Sequence, residues 1–240
     1  MRADLYLVEK GYYESRSRAQ EAIKTGRVKV DGRILKKASE RLAEGARIEA
    51  EQAHPWVSRG GLKLVHALDV FNIEVKGRHC LDVGASTGGF THVLIETGAA
   101  HVTAVDVGRD QLHPSLQDHP QITSLEAQDA RSLTEDMFTR PPELIVCDAS
   151  FISLSKVLPV PLSLAAKTAE LVTLVKPQFE VGKDGLGKGG IVKSETLALQ
   201  SLSDVCGWIE TEGWSVKATT ASPIRGGSGN QEYLLHAIKN

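Results

Sequence analysis

One stretch constrains this chain more than any other: a short apolar run that collapses into glycines and reopens as a helix. It reads His79-Cys80-Leu81-Asp82-Val83-Gly84-Ala85-Ser86-Thr87-Gly88-Gly89-Phe90. Cys80, Leu81 and Val83 suit a buried strand. Phe90, Val93, Leu94 and Thr97 then recur at helical spacing, so the spacing predicts strand, tight turn, helix. Glycine lets the backbone bend where a Cβ would clash, and lets a ligand approach the main chain. Open α/β sheets bind ligands at the carboxyl ends of their strands, where this turn lies. No Gly-Lys-Ser/Thr closes it, so it is not a P-loop. The G-x-G-x-x-G spacing of dinucleotide-binding turns is also absent, which disfavours an NAD oxidoreductase.

The alternation continues downstream. Val102-Thr103-Ala104-Val105 reads as a buried strand ending in Asp106, twenty-two residues beyond Gly84. Ile122 to Leu125 leads to Asp129, and Leu144-Ile145-Val146-Cys147 runs into Asp148 as a near-continuous apolar strand. Leu171 to Val175 ends at Lys176; Val216 to Ala218 and Glu232 to Ile238 complete the set. Helical patterns run from Ser58 through Val65, Leu68 and Phe71, and from Ser194 to Glu212 with Leu197, Leu199, Leu202, Val205 and Ile209. Strand alternating with helix means α/β with a mostly parallel sheet. In such a sheet Asp148 and Lys176 should face one crevice, and an antiparallel last strand would bring Glu232 to the same edge.

The first fifty residues differ from the rest. They carry 12 Lys/Arg against 8 Asp/Glu, a net of +4, and leave −6 for the remainder of a chain whose total is −2. A basic head on an acidic body suggests contact with nucleic acid. A short amphipathic helix over Met1 to Tyr13 is followed by a second, Arg16 to Thr25, with Ser15 or Ser17 as cap and Gly26 as stop. Val28-Lys29-Val30, the Asp31-Gly32 turn and Ile34 to Lys37 read as a hairpin, and Arg47 to Ala50 as a further strand. Domains are expected over 1–51 and 60–240, joined by a linker over 52–59 in which Trp56 packs on a domain surface.

Composition removes other classes. Cys80, Cys147 and Cys206 are scattered, and the eight histidines show no H-E-x-x-H. Neither a disulfide framework nor a metal site is expected. No signal-peptide pattern or membrane span is visible, so the expected location is the cytoplasm, without stable membrane association.

Four resemblances sharpen this reading. Asp82-x-Gly84-x-x-x-Gly88-Gly89-Phe90 resembles motif I of S-adenosylmethionine (SAM) dependent methyltransferases. Ser15-Arg16-Ser17-Arg18-Ala19 with Gly26-Arg27-Val28-Lys29-Val30-Asp31-Gly32 resembles the S4-type RNA-binding domain. Lys63, Asp148, Lys176 and Glu232 resemble the Lys-Asp-Lys-Glu tetrad of FtsJ-like ribose 2′-O-methyltransferases. Head, linker and body together are similar to the TlyA (hemolysin A-like) ribosomal-RNA methyltransferases, through Ser58 to Leu64, Cys147 to Leu154, Lys176 to Glu180 and Asn230 to Leu234.

The resemblance implies a Rossmann-like, mostly parallel seven-stranded sheet with an antiparallel last strand, behind a small α+β RNA-binding domain. It implies SAM as cofactor, ribosomal RNA or a ribosomal subunit as partner, and a cytidine 2′-hydroxyl as acceptor. Gly84, Ala85, Ser86, Thr87, Gly88, Gly89 and Phe90, with Asp82 before them, would cradle the methionine part of SAM. Asp106 would hold its ribose and Asp129 its adenine amino group. Arg16, Arg18, Lys24, Arg27, Lys29 and Arg59 would contact RNA phosphates. Lys176 would orient the 2′-oxygen and stabilise the oxyanion first; flanked by Asp148 and Glu232 it should keep its proton, which opposes a base role, while desolvation pushes the other way, so a base role is expected only if it is buried. Lys63 would stabilise charge at the acceptor, while the two acids fix the lysines. The glycine-rich loop from Gly182 to Ile191 is expected to be mobile and to close over RNA or SAM. The competing classes are a membrane-active hemolysin, which lacks any strongly amphipathic cationic helix here, and a non-catalytic RNA-binding or assembly protein.

Overall fold

The computed structural model describes all residues, 1–240. The chain divides into two compact units, Met1–Pro55 and Trp56–Asn240. The stretch 52–59 is shared between them. In the first unit the Tyr13 hydroxyl donates to the Glu51 carbonyl, and buried His54 sits against Arg18 and Glu21. In the second, the Trp56 ring meets His92 edge-on at 5.4 Å, and the Val57 N–H donates to His92 Nδ1.

The first unit contains α1 (Ala3–Glu9), α2 (Arg16–Lys24), β1 (Val28–Val30), β2 (Arg33–Ile34) and β3 (Ile48–Ala50). Ser15 caps α2 by accepting from the Arg18 N–H. Asp31 and Gly32 both take positive φ, 51° and 78°, as a tight hairpin turn requires. The return strand is only two residues long. Its Ile34 is exposed, while Leu35 just beyond is fully buried and donates from its N–H to the Val28 carbonyl. The three antiparallel strands lie in the order β2-β1-β3, and Leu7, Ala19, Ile23 and Val28 fill the core beneath.

The second unit is built on α3 (Gly60–Val70), β4 (His79–Val83), α4 (Gly89–Glu96), β5 (His101–Val105), α5 (Pro114–Gln117), β6 (Ile122–Leu125) and β7 (Leu144–Cys147). It continues with α6 (Leu154–Val157), α7 (Pro159–Ser163), β8 (Glu170–Val175), α8 (Pro177–Glu180), α9 (Glu195–Thr211), β9 (Trp214–Ala221) and β10 (Tyr233–Lys239). The seven strands run β6-β5-β4-β7-β8-β10-β9. Strands β4 to β8 are mutually parallel, and β10 is antiparallel to both neighbours. Both faces are covered, one by a core around Leu81, Ile145 and Trp214, the other around Leu64, Val93 and Leu144. That double burial explains the continuous apolar strands.

Two helix faces differ from expectation. In α9 the buried stripe is Ala198, Ser201, Val205 and Ile209, whereas Leu197 and Leu199 are exposed. The helix packs on β9, α8 and α6, and small residues at 198 and 201 allow that approach. The two leucines lie one residue either side of Ala198, about 100° off the stripe. In α4, Phe90, Val93 and Leu94 are buried, but Thr97 is the exposed C-cap, its hydroxyl spent on the Val93 carbonyl.

Candidate active site

Strand order reverses at β4, with β5 on one side and β7 on the other. A crevice must open there, outside the carboxyl ends of the strands. It holds a cavity of about 530 Å³ whose wall includes Gly84, Ser86, Asp106, Asp129, Asp148 and Phe151. That is a volume suited to one small molecule.

Gly84 shapes the cavity floor. Its φ is +80°, and a Cβ there would lie 3.0 Å from Ala149 Cα. The turns after β4 and β7 thus touch, which only glycine permits. The Gly84 and Ala85 N–H groups both donate to the Val105 carbonyl, fastening the turn to β5. Asp106 then holds the turn's outer edge: its two carboxylate oxygens accept from the Ser86 N–H at 2.8 Å and the Gly108 N–H at 2.7 Å.

Of the ten residues expected to hold SAM, Gly84, Ser86, Asp106 and Asp129 line the cavity. The other six lie off its wall and build the turn. Asp82 is wholly buried, with one oxygen accepting from Thr91 Oγ1 at 2.7 Å and the other without a partner. Burial pushes its carboxyl up to about 7 against the pull of the Thr91 bond. Ala85 is nearly closed to solvent, and the Thr87 carbonyl accepts from the His113 N–H. Gly88 caps α4, where a Cβ would run into Leu112 and Leu116; Gly89 leaves room for Ser58. Phe90 belongs to the core under the sheet. Asp129 accepts from the Arg131 N–H and, at 2.6 Å, from its guanidinium, which holds the acid below the usual carboxylate range. Arg131, Gln111 and Gln128 line the same wall and had no motif to announce them.

The four tetrad residues converge from distant segments. Lys63 Nζ donates to Glu232 Oε2 at 2.6 Å and lies 3.9 Å from Asp148 Oδ2. Lys176 Nζ lies 2.6 Å from Asp148 Oδ1. It also donates to the Asp148 carbonyl at 3.0 Å and to Ser150 Oγ at 2.8 Å. The order is therefore Glu232, Lys63, Asp148, Lys176, with Asp148 shared. The expectation that Asp148 and Glu232 flank Lys176 is corrected: Glu232 engages Lys63. The cause is the approach of α3, whose first turn comes so near that a Cβ on Gly60 would stand 3.6 Å from Asp148 Oδ2. Lys63, Lys176 and Glu232 are buried, and the alternating charges offset one another's desolvation. Gln178 Nε2 adds a donor to Glu232 Oε1 at 3.3 Å.

Two features beside the tetrad had weaker signals. Phe151 takes φ +65°, rare for a bulky residue, and its ring is 91% exposed at the cavity mouth beside Phe179. The loop after Lys176 is tied down: Asn230 accepts from the Val192 N–H at 3.0 Å and donates to the Gly190 carbonyl at 2.9 Å. Lys193 Nζ donates to the Asp184 carbonyl as well.

On the first unit, Arg16 pairs with buried Asp4, Arg18 contacts His54, Arg27 pairs with Glu51 and Lys29 with Glu49. Lys24 is exposed. Arg2, absent from the expected set, grips Asp4 through two nitrogens, and three donor side chains pull that acid's titration down. Arg59 is exposed at the start of α3 in the second unit. No helix is long and apolar enough to cross a membrane.

Comparison with known proteins agrees in both units. Residues 1–48 match the S4 domain, and residues 56–239 match the FtsJ-like methyltransferases. The chain is 45% identical to the 16S/23S rRNA (cytidine-2′-O)-methyltransferase TlyA of Mycobacterium tuberculosis, over 98% of this chain and 88% of that protein. It is 40% identical to Hemolysin A of Brachyspira hyodysenteriae, over 99% and 100%. Among solved structures, a candidate hemolysin from Streptococcus thermophilus superposes with a TM-score of 0.80 at 37% identity, covering 100% of this chain and 88% of that one. With both units matched in one order and the tetrad gathered around Asp148 at the end of β7, the chain belongs to the FtsJ-like methyltransferase family, in the S4-bearing branch that holds TlyA and Hemolysin A.

Proposed function

We propose that this protein methylates the 2′-hydroxyl of a cytidine in ribosomal RNA, using SAM. One observation carries the reading: Asp148, the shared member of the Glu232–Lys63–Asp148–Lys176 chain of charges, lines the cavity that the glycine turn shapes. Names borne by relatives supply the acceptor class.

The cavity residues fit the cofactor. Val83, Val105, Val107 and Ala130 give apolar walls, and Gly84 leaves the floor open to close approach. Asp106 and Asp129 are the acids placed to meet hydroxyl and amino groups, and Arg131 must share Asp129 with an adenine. When bound, SAM supplies an electrophilic methyl on a sulfonium; transfer leaves a neutral thioether, a methyl ether and one released proton.

The chain's own task is then positioning, worth about 7–11 kcal/mol in favourable cases. Lys176, with its ammonium held on Asp148, orients the ribose oxygen and stabilises negative charge that grows there. Lys63 acts from the other side of Asp148, and Glu232 keeps it in place. The basic residues of the S4 unit, with Arg59, bind phosphates and so set the register of the RNA. The surface ion pairs at Arg27 and Lys29 are weak enough to exchange for phosphate.

The test is a map of 2′-O-methyl sites on ribosomal RNA incubated with protein and SAM. Lys176→Ala is expected to abolish the modification and leave SAM affinity within about twofold by calorimetry. Intact transfer by that variant overturns the mechanism, and leakage of lipid vesicles without RNA methylation overturns the function.

A further inference from the structure

An ionised carboxylate only accepts hydrogen bonds. Asp106, just past β5, is the acid that would hold the ribose of SAM. Each of its oxygens already accepts one backbone N–H, from Ser86 at 2.8 Å and from Gly108 at 2.7 Å. Each has a lone pair left for a hydroxyl hydrogen. A ribose hydroxyl gives one hydrogen and can also receive one on its oxygen. Two hydroxyls placed against Asp106 alone would leave their oxygens unmet, at a cost in affinity. The seat calls for a donor beside the acid.

Gln111 supplies it. Its side chain lines the same cavity wall as Asp106 and Ser86. The place that a Cβ on Gly108 would take lies 1.6 Å from Gln111 Nε2 and 3.0 Å from Asp106 Oδ1. Amide and carboxylate therefore stand side by side over that glycine, which leaves the amide room to lie there. Gln111 Oε1 accepts from Ser86 Oγ at 3.1 Å. That bond ties the carbonyl end to the glycine turn, and the two Nε2 hydrogens have no acceptor in the protein.

The side chain is exposed, but its backbone is held. Glu126, just after β6, accepts from three successive N–H groups: Asp110 at 3.0 Å, Gln111 at 2.7 Å and Leu112 at 3.0 Å. The Leu112 and Gln111 N–H groups hold that carboxyl below its usual range. Asp110 takes φ +52° to bend the chain into this cradle. The Ala127 N–H donates to the Gly108 carbonyl at 2.6 Å, and the Gln128 N–H to the Asp106 carbonyl at 3.0 Å. The loop after β5 is thus laced to the loop after β6, and Gln111 reaches the cavity from a fixed base.

We propose that Gln111 is a cofactor-binding residue: its amide donates to the ribose hydroxyl oxygens of SAM while Asp106 accepts the hydroxyl hydrogens. This rests on the reading of the cavity as the SAM site. Donor and acceptor together distinguish a ribose from a deoxyribose, because a missing hydroxyl leaves protein groups unpaired.

The experiment is calorimetry with SAM, with S-adenosylhomocysteine and with the 2′-deoxy and 3′-deoxy forms of the latter. It is run on wild type, Gln111→Ala and Gln111→Glu, with thermal stability measured on each. Wild type is expected to bind at least one deoxy form about tenfold or more weaker than S-adenosylhomocysteine. Gln111→Ala should bind S-adenosylhomocysteine about tenfold weaker and shrink the deoxy gap to about threefold or less, with an unchanged melting temperature. Gln111→Glu keeps the shape, loses the donor and adds a negative charge beside Asp106, so it should bind no better than Ala. An Ala variant that binds like wild type overturns the inference. So does an Ala variant that keeps the full deoxy gap, or a wild type blind to both deoxy forms. A Glu variant equal to wild type overturns it too, since the amide would then act as an acceptor. Affinity lost together with stability in Gln111→Ala marks a support of the loop and likewise overturns it. Failure of the wild type to bind SAM or S-adenosylhomocysteine instead overturns the parent reading.

Discussion

Lys63 and Glu232 stand 169 positions apart in the chain and meet at 2.6 Å with both side chains almost closed to water. One sits on the first turn of α3, the other just before β10. Their contact joins the element that precedes the sheet to the strand that completes it, so the pair serves the architecture and the site together.

A buried pair of this kind is costly to break and cheap to replace. Glu232→Ala should destabilise the protein by about 3–5 kcal/mol, because Lys63 is left charged and buried. The double change Lys63→Met with Glu232→Leu should recover most of that loss in urea denaturation while methylation stays absent. Recovery of activity along with stability would show that the pair is structural alone.

Asp82 gives the fold a pH dependence whose sign follows from its burial. Burial pushes the folded carboxyl up to about 7, from an ordinary value of 3.8. The folded form therefore binds the extra proton across that window, and stability falls as pH rises through it. Asp82→Asn carries no such titration. Its advantage over wild type should grow from pH 4 to 7 and level off above, reaching on the order of 4 kcal/mol at most. Denaturation midpoints at pH 5 and pH 8 check this; equal midpoint differences at both would remove the effect.

Under the proposed function, Glu51 competes with RNA for Arg27. The pair is exposed on both sides, so its own stabilisation is small. Arg27→Ala should weaken RNA binding and lower the slope of log affinity against log salt by roughly 0.7–0.9. Glu51→Gln should act in the opposite direction and tighten binding at low salt. Filter binding across a salt series distinguishes the two.

Phe151 offers a bare aromatic face at the mouth of the cavity. A base stacked on such a ring is worth about 1–3 kcal/mol. Phe151→Ala should lower kcat/KM for RNA by that amount with SAM affinity unchanged, and Phe151→Tyr should retain most activity. A loss confined to SAM affinity would place the ring on the cofactor side instead.

The glycine turn and the acids and lysine at the ends of β5, β7 and β8 were legible because each follows an apolar run that only a buried strand explains. Glu232 followed from an antiparallel last strand. Its partner did not, since pairing depends on how closely α3 approaches, and that approach is set by Gly60 packing beside Asp148 and Phe90 and Gly61 beside Trp56. The roles of Asp82 and Phe90 were hidden for the opposite reason: a motif names residues without saying which ones line a wall and which hold it up. Arg2 carries no pattern of its own, and Ser150, Gln178 and Asn230 lie inside the segments that carry the resemblance, which do not mark their partners. The leucines of α9 misled because apolar character was read without helical phase, and the true stripe is marked by small residues.

Asn230 is a latch with two prongs, one amide oxygen and one amide nitrogen, closed on main chain either side of Ile191. Two residues later comes Glu232. The basic loop and the carboxylate that holds Lys63 are thus borne on one short lever. Lengthening the loop by even a residue would reach the seat of Lys63 before it changed anything at the surface.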